Sequence, residues 1–273
     1  MSTDPKSPIG IFDSGIGGLT VVKSVMRALP GEKVIYFGDT ARVPYGIKSE
    51  DTVRRYALEI TDFLLEQNVK MILIACNTVS ATARKQIVTR AAPIPVLDVI
   101  TAGVDAALKT NMTKGVAVIG TLATIGSGAY QSQLQAKTAA ISVQAKACPM
   151  LVPLAEEGWV DNSIAIDTLR EYLKEIDFEL LDSLILGCTH YPLFKESIRQ
   201  ILSDSGISVS IIDSAESIAH TALYYLEEHQ LLNNNNSSIF NCYVSDRPQR
   251  FHELAERFLG HKIRSPQIIK LEH

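Results

Sequence analysis

Short apolar runs rich in valine and isoleucine alternate with stretches of helical period along the whole of this 273-residue chain. The runs cover residues 9–12, 33–37, 71–75, 95–98, 115–119, 141–145, 183–186, 209–212 and 240–244. Most are too short for helices, and their β-branched content fits buried strands. Between them the apolar residues recur at the spacing of a helix face. Leu19, Val22, Met26 and Leu29 share one such face, and Val53, Tyr56, Ile60, Phe63 and Leu64 another. Leu169, Tyr172, Leu173 and Ile176 form a third stripe, with Phe251, Leu254, Ala255 and Phe258 a fourth. This alternation predicts an α/β fold with mainly parallel sheets and helices on both faces.

A weak internal duplication divides the chain. IGIFDSGIGGLTV (9–21) parallels VAVIGTLATIGS (116–127), MILIACNT (71–78) parallels SLILGCTH (183–190), and PVLD (95–98) parallels SIID (210–213). The expectation is two pseudosymmetric α/β domains. Residues 1–99 with 213–273 form the first, discontinuous one, and residues 100–212 the second. Any two strand-turn-helix units look somewhat alike, so chance similarity stays open as the plainer account. The asparagine run at 233–236 reads as an exposed loop without function.

Composition narrows the function classes. Hydrophobic residues at 46% and charged residues at 21% are ordinary globular usage, which argues against disorder. A formal charge of −4 provides no footprint for nucleic acid or an anionic membrane surface. The opening MSTDPKSP has no signal-peptide core, and no apolar run approaches the roughly 20 residues of a membrane span. A cytoplasmic protein is expected. The cysteines at 76, 148, 188 and 242 suit neither a zinc site nor a CxxC redox pair, and in the cytosol they should be reduced thiols. No two histidines stand at ligand spacing, so a metal site is not expected. Lone lysines such as Lys70 have the side chain to hold a carbonyl cofactor, but nothing marks one out.

In open parallel sheets, ligands bind beyond the carboxyl ends of the strands. The polar motifs fall there: Asp13-Ser14-Gly15, Gly38-Asp39-Thr40, Cys76-Asn77-Thr78 and Cys188-Thr189-His190. If the two halves face each other, Cys76 and Cys188 meet across one cleft. A thiol opening a helix has a route to a lowered pKa through the helix N-terminus and nearby donors. Two coupled thiols favour one thiolate beside one thiol, the combination that a two-base proton exchange needs. Asn77, Thr78 and Thr189 suit helix capping or carboxylate binding equally. Pro192 fits a first turn, with Thr189 and His190 in the loop entering it. Each motif also has a duller reading. Cys148 and Cys242 read as core packing, His190 alone as a structural histidine, and Asp13 with Gly15, Gly17 and Gly18 as a tight turn. DSGIGG alternatively cradles a phosphate, although it lacks the GxGxxG spacing and the Walker lysine.

Taken in order, IGIFDSGIGGLTV, YFGDTARVPYG, LIACNTVSA, VIGTLATIGSGAY, CPMLVPLAEEG and LGCTHYPL resemble the glutamate racemases of the aspartate/glutamate racemase family. The resemblance runs from Ile9 to the C-terminal helix, with one small departure, Val79 where alanine is common. It implies two pseudosymmetric domains with the active site in the interdomain cleft. It also implies interconversion of L- and D-glutamate without pyridoxal phosphate or metal, supplying D-glutamate for peptidoglycan biosynthesis and hence for the cell wall and cell shape. Carried over by motif, Cys76 and Cys188 are the alternating proton donor and acceptor. Asp13 assists Cys76, while His190 and Glu156 assist Cys188, with Glu157 adjoining as the other candidate. Asp13, Ser14, Tyr45, Gly46, Asn77, Thr78, Thr121, Thr124, Thr189 and His190 match substrate-contacting positions. A homodimer is compatible with the resemblance, but no residue pattern identifies an interface.

Racemisation removes the Cα proton on one face and returns one on the other. With near-attack contacts of about 3–3.5 Å, the two sulfurs should stand on the order of 7 Å apart. Competing readings are an aspartate or related amino-acid racemase of the same fold, a thiol redox protein using both cysteines, and a phosphate or nucleotide binder using DSGIGG. One methylene of substrate is worth only roughly 1–3 kcal/mol in a simple pocket, so residue chemistry alone does not separate glutamate from aspartate.

Overall fold

The computed structural model describes residues 4–110, 113–138, 141–233 and 239–271. The chain divides into two compact units, Met1–Val99 with Ile218–His273, and Ile100–Ser217. In the first unit the order is β1 (Ile9–Asp13), α1 (Leu19–Ala28), β2 (Lys33–Gly38), α2 (Glu50–Glu66), β3 (Met71–Ile74), α3 (Asn77–Ala91) and β4 (Val96–Asp98). After α4 (Val99–Leu108) the second unit holds β5 (Gly115–Gly120), α5 (Leu122–Gly126), α6 (Ala129–Lys137), β6 (Ser142–Ala147), α7 (Leu151–Glu157), α8 (Ser163–Leu173), β7 (Ser183–Gly187), α9 (Lys195–Asp204) and β8 (Ser210–Asp213). Helix α10 (Ser214–Glu228) leads back to β9 (Ile239–Val244), α11 (Pro248–Leu259) and β10 (Gln267–Ile268).

Both sheets are parallel, and their orders match. The first runs β10-β9-β2-β1-β3-β4 and the second β6-β5-β7-β8. Setting β1 to β4 against β5 to β8 gives the same permutation, which is the structural form of the internal duplication. The central strands β1, β3, β5 and β7 are buried along their whole length, as expected of parallel strands covered on both faces. Edge strand β6 is exposed to half-buried, and its apolar signal is correspondingly thin. Strand β10 escapes the sequence reading because it is two exposed residues on a sheet edge.

Helices begin where local chemistry predicts. Ser49 caps α2 by accepting the Thr52 N–H, and Glu50 and Asp51 occupy the positively polarised first turn. Asn162 caps α8 in the same way. The α1 stripe is rotated slightly from the expected one: Leu19, Val22, Val25 and Leu29 are buried, whereas Met26 is half-buried.

At the amino ends of β2 and β3 lies a buried ion pair. Lys70 Nζ stands 2.6 Å from Glu32 Oε2, and both side chains are fully buried. The ammonium also donates to the carbonyls of Pro5 (2.7 Å) and Leu231 (2.8 Å). Asn233 is a correction to the exposed-loop reading. It is buried, and its N–H donates to Glu32 Oε1 at 2.8 Å; residues 234–236 lie outside the described residues. Lys70 is therefore engaged in joining the N-terminal segment, β3 and the segment that follows α10. Removing one partner of such a pair leaves a buried charge without its counterion. Glu32→Ala should lower unfolding free energy by about 3 kcal/mol or more in urea titration, with folded protein retaining its activity.

Candidate active site

In the first unit the site begins with a buried carboxylate. Asp13 ends β1, and its Oδ2 accepts the N–H groups of Gly15 and Gly18, each at 3.1 Å. This bends the chain sharply after the strand. A Cβ on Gly18 would fall 2.5 Å from Asp13 Cβ and 2.9 Å from the Tyr36 hydroxyl, so only glycine fits the approach. Tyr36 donates to the Gly15 carbonyl at 2.8 Å and fixes the turn from below. Ser14 is thereby brought to Cys76, whose Sγ donates to Ser14 Oγ at 3.6 Å.

Cys76 is the N-cap residue of α3, in extended conformation, and its side chain makes no capping bond. Burial raises the Cys76 thiol to about 12, and the Asp13 carboxylate adds to the rise. Hydrogen bonding from Val79 and Ser14 pulls in the opposite direction. Asn77 and Thr78 open α3 beside it, both buried. Tyr45 and Gly46 lie in a single 3-10 turn, Tyr45–Ile47. The Tyr45 ring packs in one cluster with Phe12, Cys76 and Val79, and its hydroxyl donates to Asp39.

The second unit repeats the placement with different partners. Cys188 directly follows β7, and a Cβ on the preceding Gly187 would lie 2.8 Å from the Ile119 carbonyl. Its Sγ stands 3.8 Å from His190 Nδ1, and His190 Nε2 stands 3.3 Å from Glu156 Oε1 on α7. Burial disfavours the imidazolium, but hydrogen bonds to Cys188 and Glu156 outweigh it and raise His190 to about 10. Glu156 reaches the histidine, whereas Glu157 is exposed. Pro192 stands in the first turn of the 3-10 segment Tyr191–Phe194, entered through Thr189 and His190. Thr121 caps α5: its Oγ1 accepts the Thr124 N–H at 3.3 Å and lies 3.0 Å from the Thr124 hydroxyl. Thr124 and Thr189 are buried.

Each unit thus gathers one set: Asp13, Ser14, Tyr45, Gly46, Cys76, Asn77 and Thr78 in the first, and Thr121, Thr124, Glu156, Cys188, Thr189 and His190 in the second. Cys148 shares the core cluster of Cys188, Cys242 lies in β9, and burial raises both thiols, Cys148 to about 12. Asp39 is the residue missed. Its motif was visible, but its link to Tyr45 depends on a loop closing back. Among the described residues, no group of three His, Cys, Asp or Glu side chains forms a metal-binding arrangement. No helix among them is long and apolar enough to cross a membrane.

A model of the Asp/Glu/hydantoin racemases matches residues 9–222. The chain belongs to that family. As an Asp/Glu/hydantoin racemase it is an isomerase. It is 45% identical to the glutamate racemase of Syntrophus aciditrophicus over 265 residues, covering 97% of each chain. It is 46% identical to that of Chlorobaculum parvum, covering 96% of each. The crystal structure of Francisella tularensis glutamate racemase in complex with D-glutamate superposes with a TM-score of 0.90 at 43% identity, over 98% of this chain and 99% of that one.

Two outcomes follow for this racemase. Cys148→Ala and Cys242→Ala should each lower stability by about 1 kcal/mol while turnover per folded molecule is unchanged, checked by denaturant titration and a racemisation assay. His190 titrates higher folded than unfolded, so its stabilisation is complete below pH 6.5 and is lost as pH rises through about 10. The gap in unfolding free energy between wild type and His190→Asn should close over that window.

Proposed function

We propose that this chain interconverts L- and D-glutamate through two thiols, Cys76 and Cys188, acting on opposite faces of the substrate Cα. The observation that carries the reading is their equivalent placement. Each follows the third strand of a four-strand permutation that occurs twice, and each lies beside its own carboxylate- or imidazole-bearing partners. The substrate is the one acted on by the near-full-length relatives, and its D-form supplies peptidoglycan synthesis. The reading requires both half-sites to address one Cα.

In one direction the Cys188 thiolate takes the Cα proton of L-glutamate, and the Cys76 thiol returns a proton on the other face. In the reverse direction Cys76 removes the proton from D-glutamate. The intermediate carries its charge on the substrate carboxylate, where backbone N–H groups at the start of α3 and the hydroxyls of Thr78, Thr121, Thr124 and Thr189 can meet it. Each turnover leaves the two sulfurs with exchanged protonation states, so a proton must return before the same direction repeats. His190 and Glu156 suit that task on one side, because the Glu156 side chain is 35% exposed and connects the buried imidazole to water. On the other side, the Asp13 carboxylate favours the protonated form of Cys76. Sulfurs serving as acid and base must stay reduced, a condition that suits the reducing cytoplasm. A second copy of the chain is not required by any step, and a homodimer remains an assembly the reading permits.

Cys76→Ala and Cys188→Ala should each abolish inversion in both directions, by roughly 10²- to 10⁴-fold, since a general base contributes about that much. In D₂O, Cys188→Ala should exchange the Cα proton of D-glutamate and Cys76→Ala that of L-glutamate, followed by mass spectrometry. A single-cysteine variant racemising near the wild-type rate would defeat the two-thiol reading.

A further inference from the structure

Asp39 lies just beyond β2, and its carboxylate is wholly buried. Both oxygens are occupied. Oδ2 accepts the Tyr45 hydroxyl and, at 2.6 Å, Arg42 Nε. Oδ1 accepts the Ser245 hydroxyl at 2.7 Å, and Ser245 Oγ in turn accepts the Ala41 N–H at 2.8 Å. The Asp39 N–H donates to the Asp13 carbonyl at 3.2 Å, so the group is also tied to the end of β1.

The network extends outward from there. Arg42 Nη1 bonds Glu59 on α2, and its guanidinium lies 3.9 Å over the Tyr56 ring. Tyr56 packs against Tyr45 with ring centroids 5.7 Å apart. A buried anion is tolerated here because a guanidinium and two hydroxyls compensate it. Four separate stretches of chain converge on it: the end of β2, the loop to Ile47, helix α2, and the turn after β9. Tyr45 is where they converge on the site, since its ring shares the cluster of Cys76 and Val79.

We propose that Asp39 is a positioning residue for the Cys76 half of the reaction, holding the Tyr45 hydroxyl so that the Tyr45–Ile47 turn stands preformed beside the thiol where substrate binds. The inference rests on the two-thiol reading for its choice of substrate. The carboxylate is needed because it accepts from three donors at once. An amide would turn an N–H toward one of them. Ser245 gives the late-coming C-terminal segment a share in the same turn.

The test uses full-length Tyr45→Phe, Asp39→Asn, Ser245→Ala and the double variant Asp39→Asn/Tyr45→Phe. Tyr45→Phe keeps the ring and removes only the bond. The measurements are kcat and KM for D-glutamate, melting midpoint, and the glutamate concentration that half-protects Cys76 from iodoacetamide, with labelling located by mass spectrometry. Tyr45→Phe and Asp39→Asn should each raise KM and the half-protecting concentration in parallel, by roughly fivefold to tenfold, while kcat changes less than about twofold. In the double variant the effects should not multiply, because both substitutions break one link. Unchanged KM and protection in both single variants would overturn the proposal, as would multiplicative effects. If Asp39→Asn does not fold, Tyr45→Phe and Ser245→Ala decide: a KM increase in both supports the proposal, and wild-type values in both overturn it. Failure of the two-thiol reading shows elsewhere, as racemisation persisting in Cys76→Ala, whereas protection of Cys76 reports glutamate binding itself.

Discussion

All strand pairs in both sheets run parallel, so each connection must return across its sheet and every strand of a sheet ends at the same edge. That constraint arranges the polar chemistry. Hydrophobic residues fill the strands themselves, and the first positions free to be polar are those just past the carboxyl ends. Asp39, Cys76, Thr121 and Cys188 occupy such positions, and Asp13 is the last residue of β1. The opposite edge of the first sheet carries the Glu32–Lys70 pair, which joins elements. One sheet thus separates a stabilising end from a reactive end.

Repeating the permutation gives two thiols in equivalent backbone settings, yet their electrostatic surroundings differ. Cys76 is buried and feels a carboxylate, both of which favour the neutral form, while hydrogen bonding from Val79 and Ser14 opposes them. Cys188 faces an imidazole whose far nitrogen rests on a glutamate, and hydrogen bonds to both partners hold His190 above its ordinary value against burial. A symmetric scaffold with unequal surroundings suits a reaction whose two faces are mirror images but whose substrate is handed.

Strands and the polar positions at their carboxyl ends were legible in the sequence because both follow local rules. Val and Ile runs mark β1, β3, β5 and β7, and the motif after each one names its polar residue. Asp13 was legible as a turn former, but not the pair of glycine N–H groups it accepts. What could not be read depends on chain closure over long separations. Ser245 meets Asp39 across 206 residues, and Lys70 meets the carbonyl of Leu231 across 161. Glu156 and Glu157 are indistinguishable by type, and the direction of the last turn of α7 separates them. Strand β10 offers no apolar run, because an exposed two-residue edge buries nothing.

Strand β9 lies beside β2, although about two hundred residues are translated between them. The second unit, by contrast, is one continuous stretch of chain. On the ribosome, residues 100–217 have all their sheet partners as soon as they emerge. The first unit has only β1 to β4, with the open side of β2 exposed until residues 239–244 arrive. The same late segment brings Ser245 to Asp39. In a nascent chain the Cys188 half is therefore complete before the Cys76 half, and a partly made polypeptide carries one finished thiol site and one that still lacks its brace.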